Sequence, residues 1–236
     1  MNFIIAHTEQ TAELYEWLTY LNANEEMHNL TLPSLAAKRC YNSMNITNNK
    51  NITKVRVTER EMILNLLKLR HGSVFEHFNI TVAFENVSRV FTHELVRHRA
   101  GMAYSQESLR YVNPKDLKMR MLSSFRDRRL DLLKLAADDA FMLYTEFLEH
   151  FKDSDFFTKK EQTSLARRFL PMGISTAIIA TGNVRAWRNI FHQRCTEHAE
   201  EEMRVEMRDL LHTFQNRWPD FFGDIKDNGE SENYKV

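Results

Sequence analysis

The period of the hydrophobic positions changes several times along the chain, and each change predicts an element. Residues 2–7, Asn-Phe-Ile-Ile-Ala-His, read as a short strand. Helices are predicted over residues 9–22 and 33–41, the second opening with Pro33 near its first turn. Thr58-Glu59-Arg60-Glu61 has the spacing of a capping box. Met62, Leu66, Leu67 and Leu69 supply the apolar positions of the helix it starts, and Gly72 is placed to stop it. Phe78–Phe84 alternates with period two, the mark of a half-buried strand, and residues 91–99 return to a helical pattern. From Asp127 to Phe151 runs a long amphipathic helix with Leu130, Leu133, Ala137, Ala140, Phe141, Tyr144 and Leu148 on one side. Gly173–Asn183, small and β-branched, predicts a strand, and helices follow at about 184–194 and 199–216, closed by Pro219. Strands scattered among helices predict an α+β (mixed α/β) fold. There is no internal repeat; Asn42–Asn51 reads as a polar loop and Asp224–Val236 as a polar, frayed tail.

Composition narrows the function. With 236 residues, 43% hydrophobic and 27% charged, the chain can bury a sizeable core without disulfides or a structural metal. Lys+Arg and Asp+Glu balance at 32 each, so any anion site must come from local clustering rather than from a general attraction to nucleic acid or anionic membrane. No apolar run approaches the ~18 residues of a membrane span, and Met1–His7 lacks the basic start of a signal peptide, so a cytoplasmic location is expected. The Asn-x-Ser/Thr triplets at Asn29, Asn45, Asn51, Asn79 and Asn86 are then chance matches in an Asn-rich stretch. Cys40 and Cys195 form no CxxC and suggest no disulfide framework. With only 6 glycines there is neither GxGxxG nor GxxxxGK, so a bound nucleotide must be gripped by side chains.

Basic and polar residues concentrate in three places. The densest is Thr92-His93-Glu94-Leu95-Val96-Arg97-His98-Arg99. His93-Glu94 invites a zinc-protease reading, but that motif needs its second histidine four residues on, which brings both to one helix face. Here Arg97 takes that position, and His98 is five residues away, rotated by about 140°. The alternatives are a solvated basic turn or an anion-binding cluster of Arg97, His98 and Arg99, since guanidinium groups hold phosphates bidentately. Tyr104-Ser105-Gln106-Glu107-Ser108-Leu109-Arg110-Tyr111 adds hydroxyls, an amide and another arginine, a mix suited to a phosphorylated polar heterocycle. A second cluster, Asn183, Arg185, Arg188 and Asn189, then Arg194 and His198, fits one helix face in part, as an ordinary surface helix also would. The third, His71–His77, is weaker, its histidines serving structure as readily as function.

These segments together resemble the flavin-dependent thymidylate synthases. That family's signature is Arg-His-Arg, a spacer of seven, then Ser, in a pattern ending Ser-x-Arg-Tyr. The chain has Arg97-His98-Arg99, then eight residues, then Ser108-Leu109-Arg110-Tyr111, with the extra residue in Ala100–Ala103. His71-x-Ser73-x-x-Glu76-His77 resembles a family segment before the first long strand, and Glu94 matches a position that is Gln or Glu among relatives. Ala166-Arg167-x-x-Leu170-Pro171, and Asn183, Arg185, Asn189, Arg194 and His198, keep the family's spacing; Ala36–Tyr41 is a looser match. The resemblance spans about residues 33–215.

The resemblance implies a single domain over residues 1–223 with a central, mostly antiparallel sheet flanked by helices, a tail over 224–236, and a homotetramer with sites shared between subunits. It implies FAD reduced by NADPH, methylenetetrahydrofolate as carbon donor, and conversion of dUMP to dTMP. By position, His71, Ser73, Arg97, His98, Arg99, Gln106, Asn183, Arg185, Asn189 and His198 are expected to hold FAD. Glu94, Arg97, Gln106, Ser108, Leu109, Arg110, Arg167 and Arg194 are expected to hold dUMP, with Arg194 as the catalytic residue polarising the uracil. Arginines aimed inward suit a glycine-poor fold that must hold a pyrophosphate and a phosphate. The competing synthase chemistry needs a cysteine thiolate. Cys40 lies in a predicted helix, and Cys195, though its neighbour Arg194 could lower its pKa, sits in no matching motif. Ser108 has no His–Asp relay in view. Alternatives are the same scaffold as a hydroxymethylase or acting on dCMP, and a non-catalytic nucleotide- or nucleic-acid-binding module; metal and nucleic acid are not expected.

Overall fold

The structure, a computed structural model, describes residues 1–45, 49–52, 56, 58–112, 118–122 and 128–231. Four strands form one sheet in the order β1-β2-β4-β3: β1 (Asn2–His7), β2 (Asn79–Ser88), β3 (Met102–Gln106) and β4 (Ser175–Asn183). All three pairings are antiparallel. Glu85 N–H donates to Met1 O while Thr8 N–H donates to Asn79 O, so β1 runs against β2. Arg89 to Ile174 and Val184 to Phe78 frame β2 against β4, and Glu107 to Ala177 and Asn183 to Gly101 frame β3 against β4. In β2 the alternation holds as predicted: Ile80, Val82 and Phe84 are fully buried. The strand runs on to Ser88, with Asn86 in the left-handed region that asparagine tolerates.

The helices are α1 (Glu13–Tyr20), α2 (Leu32–Cys40), α3 (Glu59–Lys68), α4 (Arg89–Leu95), α5 (Arg128–Phe151), α6 (Lys159–Ala166), α7 (Val184–Arg194), α8 (Glu201–Arg217) and α9 (Pro219–Phe222). The predicted 9–22 helix is shorter than its pattern. The 91–99 helix starts earlier and stops at Leu95, so Arg97–Arg99 lie beyond it. Ser88 supplies the start, its Oγ accepting from Phe91 N–H. Thr58 caps α3 through Glu61 N–H, but the stop is a turn at Arg70, φ 58°, and Gly72 instead opens a 3₁₀ turn over Gly72–His77. Pro219 opens α9 rather than closing α8, whose end is capped by Trp218. A complete capping box is found at Thr158–Glu161, heading α6, an element that the hydrophobic period does not mark, as it does not mark β3. Asp127 and residues 46–48 of the expected polar loop lie outside the described residues.

By chain contacts the molecule divides into two compact units. One comprises Met1–Phe3, Ala83–Arg97 and Tyr104–Ala180; the other comprises Ile4–Val82, His98–Ala103 and Thr181–Val236. In the first, α5 turns Ala137 and Tyr144 inward as predicted, Gln162 of α6 donates to Phe151 O at 2.7 Å, and Phe147 packs on Phe151 and Phe169. On the opposite side of α5, Leu132, Leu135, Met142 and Leu143 are exposed.

The second unit holds the aromatic core. Trp187 and Phe191 of α7, Phe214 of α8 and Phe222 of α9 are fully buried, and Phe214 meets each of the other three at 5.0–5.6 Å between ring centroids. Edge-to-face contacts of this kind add to the burial of each ring. Trp187 Nε1–H donates to Ile80 O at 3.1 Å, which satisfies its one polar atom and ties α7 to β2. Leu18, Met27, Leu30, Leu35 and Met44 form a second cluster. Phe214→Ala should therefore destabilise the protein by about 3–5 kcal/mol. Denaturant unfolding followed by tryptophan fluorescence would read this as a lower midpoint.

Candidate active site

Helix α7 carries most of the second unit's candidate chemistry. Its N-cap, Asn183, accepts from Ala186 N–H through Oδ1 at 2.8 Å, which starts the helix at the end of β4. Asn183 also packs against Gly101, whose φ of +70° lies in the left-handed region and where a Cβ would come within 2.5 Å of the Asn183 amide. The lengthened Ala100–Ala103 stretch is thus held at the start of α7. Around this junction is a cavity of about 350 Å³ lined by Glu76, Ala100, Gly101, Asn183, Arg185 and Asn189, with Ala186 at its side. Arg185 Nη1 donates to Glu76 Oε1 at 2.7 Å, and both side chains are about half exposed. A second cavity of about 460 Å³ includes Tyr41, Arg70, His71, Ser73 and again Arg185. Tyr41 Oη and His71 Nδ1 are bonded at 3.1 Å.

At the other end of α7, Arg194 Nε–H donates to His98 Nε2 at 2.8 Å. A guanidinium has no acceptor, so His98 must present an unprotonated Nε2 there. This bond orients the Arg194 guanidinium.

The buried side of α7 is anchored by charge. Arg188 is fully buried; its Nη1 and Nη2 donate to Asp224 Oδ1 and Oδ2 at 2.6 and 2.8 Å, and Nη1 also donates to Phe221 O. Burial alone would raise the Asp224 carboxyl, but the bonds from Arg188, with Ser231 Oγ donating at 2.5 Å, hold it below the usual carboxylate range. His192 Nδ1–H donates to Gly229 O at 2.5 Å, and burial pushes its pKa down. Residues 224–231, expected to be frayed, are instead fastened to α7 by these bonds.

In the first unit, β3 and the loop after it are pinned to α4. Gln106 Nε2–H donates to Thr92 Oγ1 at 3.0 Å and Tyr104 Oη donates to Leu95 O at 3.0 Å. Arg89 Nη2 donates to Glu107 O at 3.0 Å, and Glu107 Oε2 accepts from Ala177 N–H at 3.1 Å. Burial pushes the Arg89 pKa down, Glu107 offsets this in part, and Arg167 is near enough to lower it further. Ser108 Oγ accepts from Arg110 N–H, Leu109 is buried, and Arg110, Arg97 and Arg167 are exposed.

Of the sequence candidates, Asn183, Arg185 and Asn189 line one cavity, His71 and Ser73 share the other with Arg185, and His98 pairs with Arg194. Arg99 and His198 are exposed and line neither cavity. Glu94, Arg97, Gln106, Ser108, Leu109, Arg110 and Arg167 all belong to the first unit. Sequence reasoning left Glu76 without a role, missed Arg89, and placed Arg188 on a ligand face rather than in the core. A glutamate within His71–His77 and an arginine directly after a serine N-cap were the available signals. Burial pushes the Cys195 thiol up to about 12, and the cation acting on it is Arg208 rather than Arg194, so it is no thiolate at neutral pH.

Residues 24–220 match the family described as Thymidylate synthase complementing protein. The chain belongs to that family. Its relatives include the flavin-dependent thymidylate synthase of Mycobacterium avium (strain 104), 33% identical over 203 residues, which is 83% of this chain and 79% of that protein. The protein of that name from Mycobacteroides abscessus is 31% identical over 202 residues, 82% of this chain and 78% of its own. That from Mycobacterium tuberculosis (strain ATCC 25618 / H37Rv) is 32% identical over 203 residues, with 83% and 79% covered. No helix among the described residues is long and apolar enough to cross a membrane.

The fastening of α7 has a pH signature. A histidine whose folded pKa lies below its unfolded value of about 6.5 favours folding fully above that pH and progressively less below it. The depressed Asp224 carboxyl adds a second loss as pH falls through its folded pKa, below the unfolded value of about 3.9. Unfolding free energy measured from pH 8 to 5 should fall with acidity below about 6.5, and His192→Gln should flatten that fall.

Proposed function

We infer that this protein is a flavin-dependent thymidylate synthase that converts dUMP to dTMP, with FAD reduced by NADPH and methylenetetrahydrofolate giving the carbon. The similarity across residues 24–220 carries the reading, and the arrangement on α7 supports it. A flavin nucleotide brings a pyrophosphate, and Arg185, reached from both cavities and only half-buried against Glu76, can exchange that carboxylate for a phosphate without an unpaired charge being left in the core. Asn183 and Asn189 add amides, and His71 and Ser73 add a ring nitrogen and a hydroxyl. Arg97, His98, Arg99, Gln106 and His198 complete the expected cofactor set. The flavin supplies the reducing electrons.

The chain's own part in the reaction is to bind, orient and polarise. Glu94, Arg97, Gln106, Ser108, Leu109, Arg110 and Arg167 hold dUMP, the arginines taking its phosphate. Arg194, oriented by His98 Nε2, stabilises negative charge developing on the uracil. We assign the catalytic domain to residues 1–223 and a terminal segment to 224–236. A homotetramer with sites shared between subunits fits the exposed Leu132, Leu135, Met142 and Leu143 on α5, an apolar stripe suited to burial against another copy. The location is cytoplasmic.

Mass analysis of the nucleotide formed from dUMP with FAD, NADPH and methylenetetrahydrofolate tests the reaction: one added methyl group is expected, and a hydroxymethyl group or no product contradicts it. Arg194→Ala should keep the fold and the bound flavin while turnover falls by roughly 100-fold or more, as for removal of one charge-stabilising donor. Near-native turnover would take Arg194 out of its role.

A further inference from the structure

Strand β3 ends at Gln106, and the amide there is held in one orientation by its neighbours. Tyr104 and Gln106 share one face of the strand, as residues two apart do, and both reach α4. Gln106 Nε2–H donates to Thr92 Oγ1 at 3.0 Å. Thr92 is 2% exposed, and its own hydroxyl proton is directed at Arg89 O, 3.2 Å away. A carbonyl oxygen cannot donate, so the far end of this relay sets its direction. Arg89 O accepts, Thr92 Oγ1 donates to it, and only a lone pair of Thr92 is left for Gln106. The Gln106 amide must therefore turn its NH₂ group inward.

The same arginine fixes the backbone just beyond. Arg89 Nη2 donates to Glu107 O at 3.0 Å, Glu107 Oε2 accepts from Ala177 N–H, and Glu107 N–H donates to Ala177 O. Gln106 is thus held through its side chain and through the main chain of its successor. Its remaining amide atom, Oε1, makes no hydrogen bond among the described residues, and the side chain is only partly buried. An amide whose NH₂ group is committed offers a ligand an acceptor and nothing else. A phosphate dianion carries acceptors alone and has no use for it.

We propose that Thr92 is a positioning residue that sets the polarity of the Gln106 amide, so that Gln106 takes a hydrogen-bond donor of the bound ligand, an O–H or N–H group, and no phosphate oxygen. The proposal rests on the proposed function, in which Gln106 stands in both the flavin and the nucleotide sets, and it divides the work within them. The arginines meet phosphates, and Gln106 meets a hydroxyl or a ring N–H. Thr92 is buried behind the amide and acts only through it. An amide free to turn would present either end; the Thr92 hydroxyl removes that choice.

Equilibrium binding of FAD, and of dUMP to the flavin-loaded protein, tests this with the full chain. Thr92→Val keeps the side chain's shape and loses the hydroxyl. The ligand that Gln106 meets should then bind roughly two- to tenfold more weakly, the scale of one neutral hydrogen bond, and Thr92→Ser should restore it. In a Gln106→Ala background, Thr92→Val should weaken binding no further. Gln106→Glu keeps an acceptor and has no donor. It should bind that ligand more tightly than Gln106→Ala does at high salt, where through-space repulsion is screened. The Gln106 variants change a partly exposed side chain and test the polarity even if Thr92→Val fails to fold. Native affinities in Thr92→Val, or equal losses with and without Gln106, overturn the positioning role. Weaker binding by Gln106→Glu than by Gln106→Ala overturns the polarity. In each of these cases native protein still binds FAD and dUMP, and the proposed function stands. Native protein that binds neither would overturn the proposed function and this role together.

Discussion

The ion pair between Arg188 and Asp224 is the contact on which the second unit's candidate site depends. A guanidinium with no exposed surface is costly unless its charge is met, and here a carboxylate takes two of its bonds and Phe221 O a third. Arg188 lies in the middle of α7, with Arg185 before it in the sequence and Asn189 and Arg194 after it. Trp187 and Phe191, its neighbours on the same helix, are held by the aromatic core and by Ile80 O. The side chains offered to ligands are therefore attached to a helix whose rotation and translation are both constrained. A site on a rigid element is more accurately placed than one on a loop.

The first unit solves the same problem differently. Its candidate substrate residues are on α4, a turn, a strand end, a loop and a short 3₁₀ turn, and the strand end and loop are fixed by bonds to α4 and to backbone. Gln106 to Thr92, Tyr104 to Leu95 and Arg89 to Glu107 O hold that path with the polar groups that a loop would otherwise leave to water. Arg110 is left free of such restraint, as a residue meant to meet a ligand would be. The exposed Arg97 and Arg167 share that character.

Much of the fold was legible because burial follows period. β2 and β4, α5 and α7 have one covered face, and their patterns announce it; Ala137 and Tyr144 are buried where the stripe placed them. β3 is a five-residue edge strand of Met-Ala-Tyr-Ser-Gln, too short and too polar to stand out. α6 has a polar sequence and is identified by its capping box rather than by hydrophobic spacing. Turn positions failed for a related reason: Arg70, not Gly72, adopts the left-handed conformation that ends α3. Within the site, the groupings of Asn183 with Arg185 and Asn189, and of His71 with Ser73, follow helix and turn spacing and could be read directly. The bond from Arg194 to His98 joins residues 96 apart in sequence, and no local pattern encodes it. Arg188 shows the limit most clearly. One-face spacing groups it with Arg185, but its partner lies 36 residues on, in a segment whose composition suggests disorder.

The buried pair of Arg188 and Asp224 places the candidate ligand face of α7. The direct measurement is the FAD affinity of Asp224→Asn against native protein, with circular dichroism confirming the fold. Asp224 lines neither of the two cavities assigned to the flavin. Leaving Arg188 buried without its carboxylate costs about 3–5 kcal/mol, so a folded variant should bind FAD at least tenfold more weakly. Native FAD affinity in a folded but less stable variant would contradict the account, leaving the pair a role in stability alone.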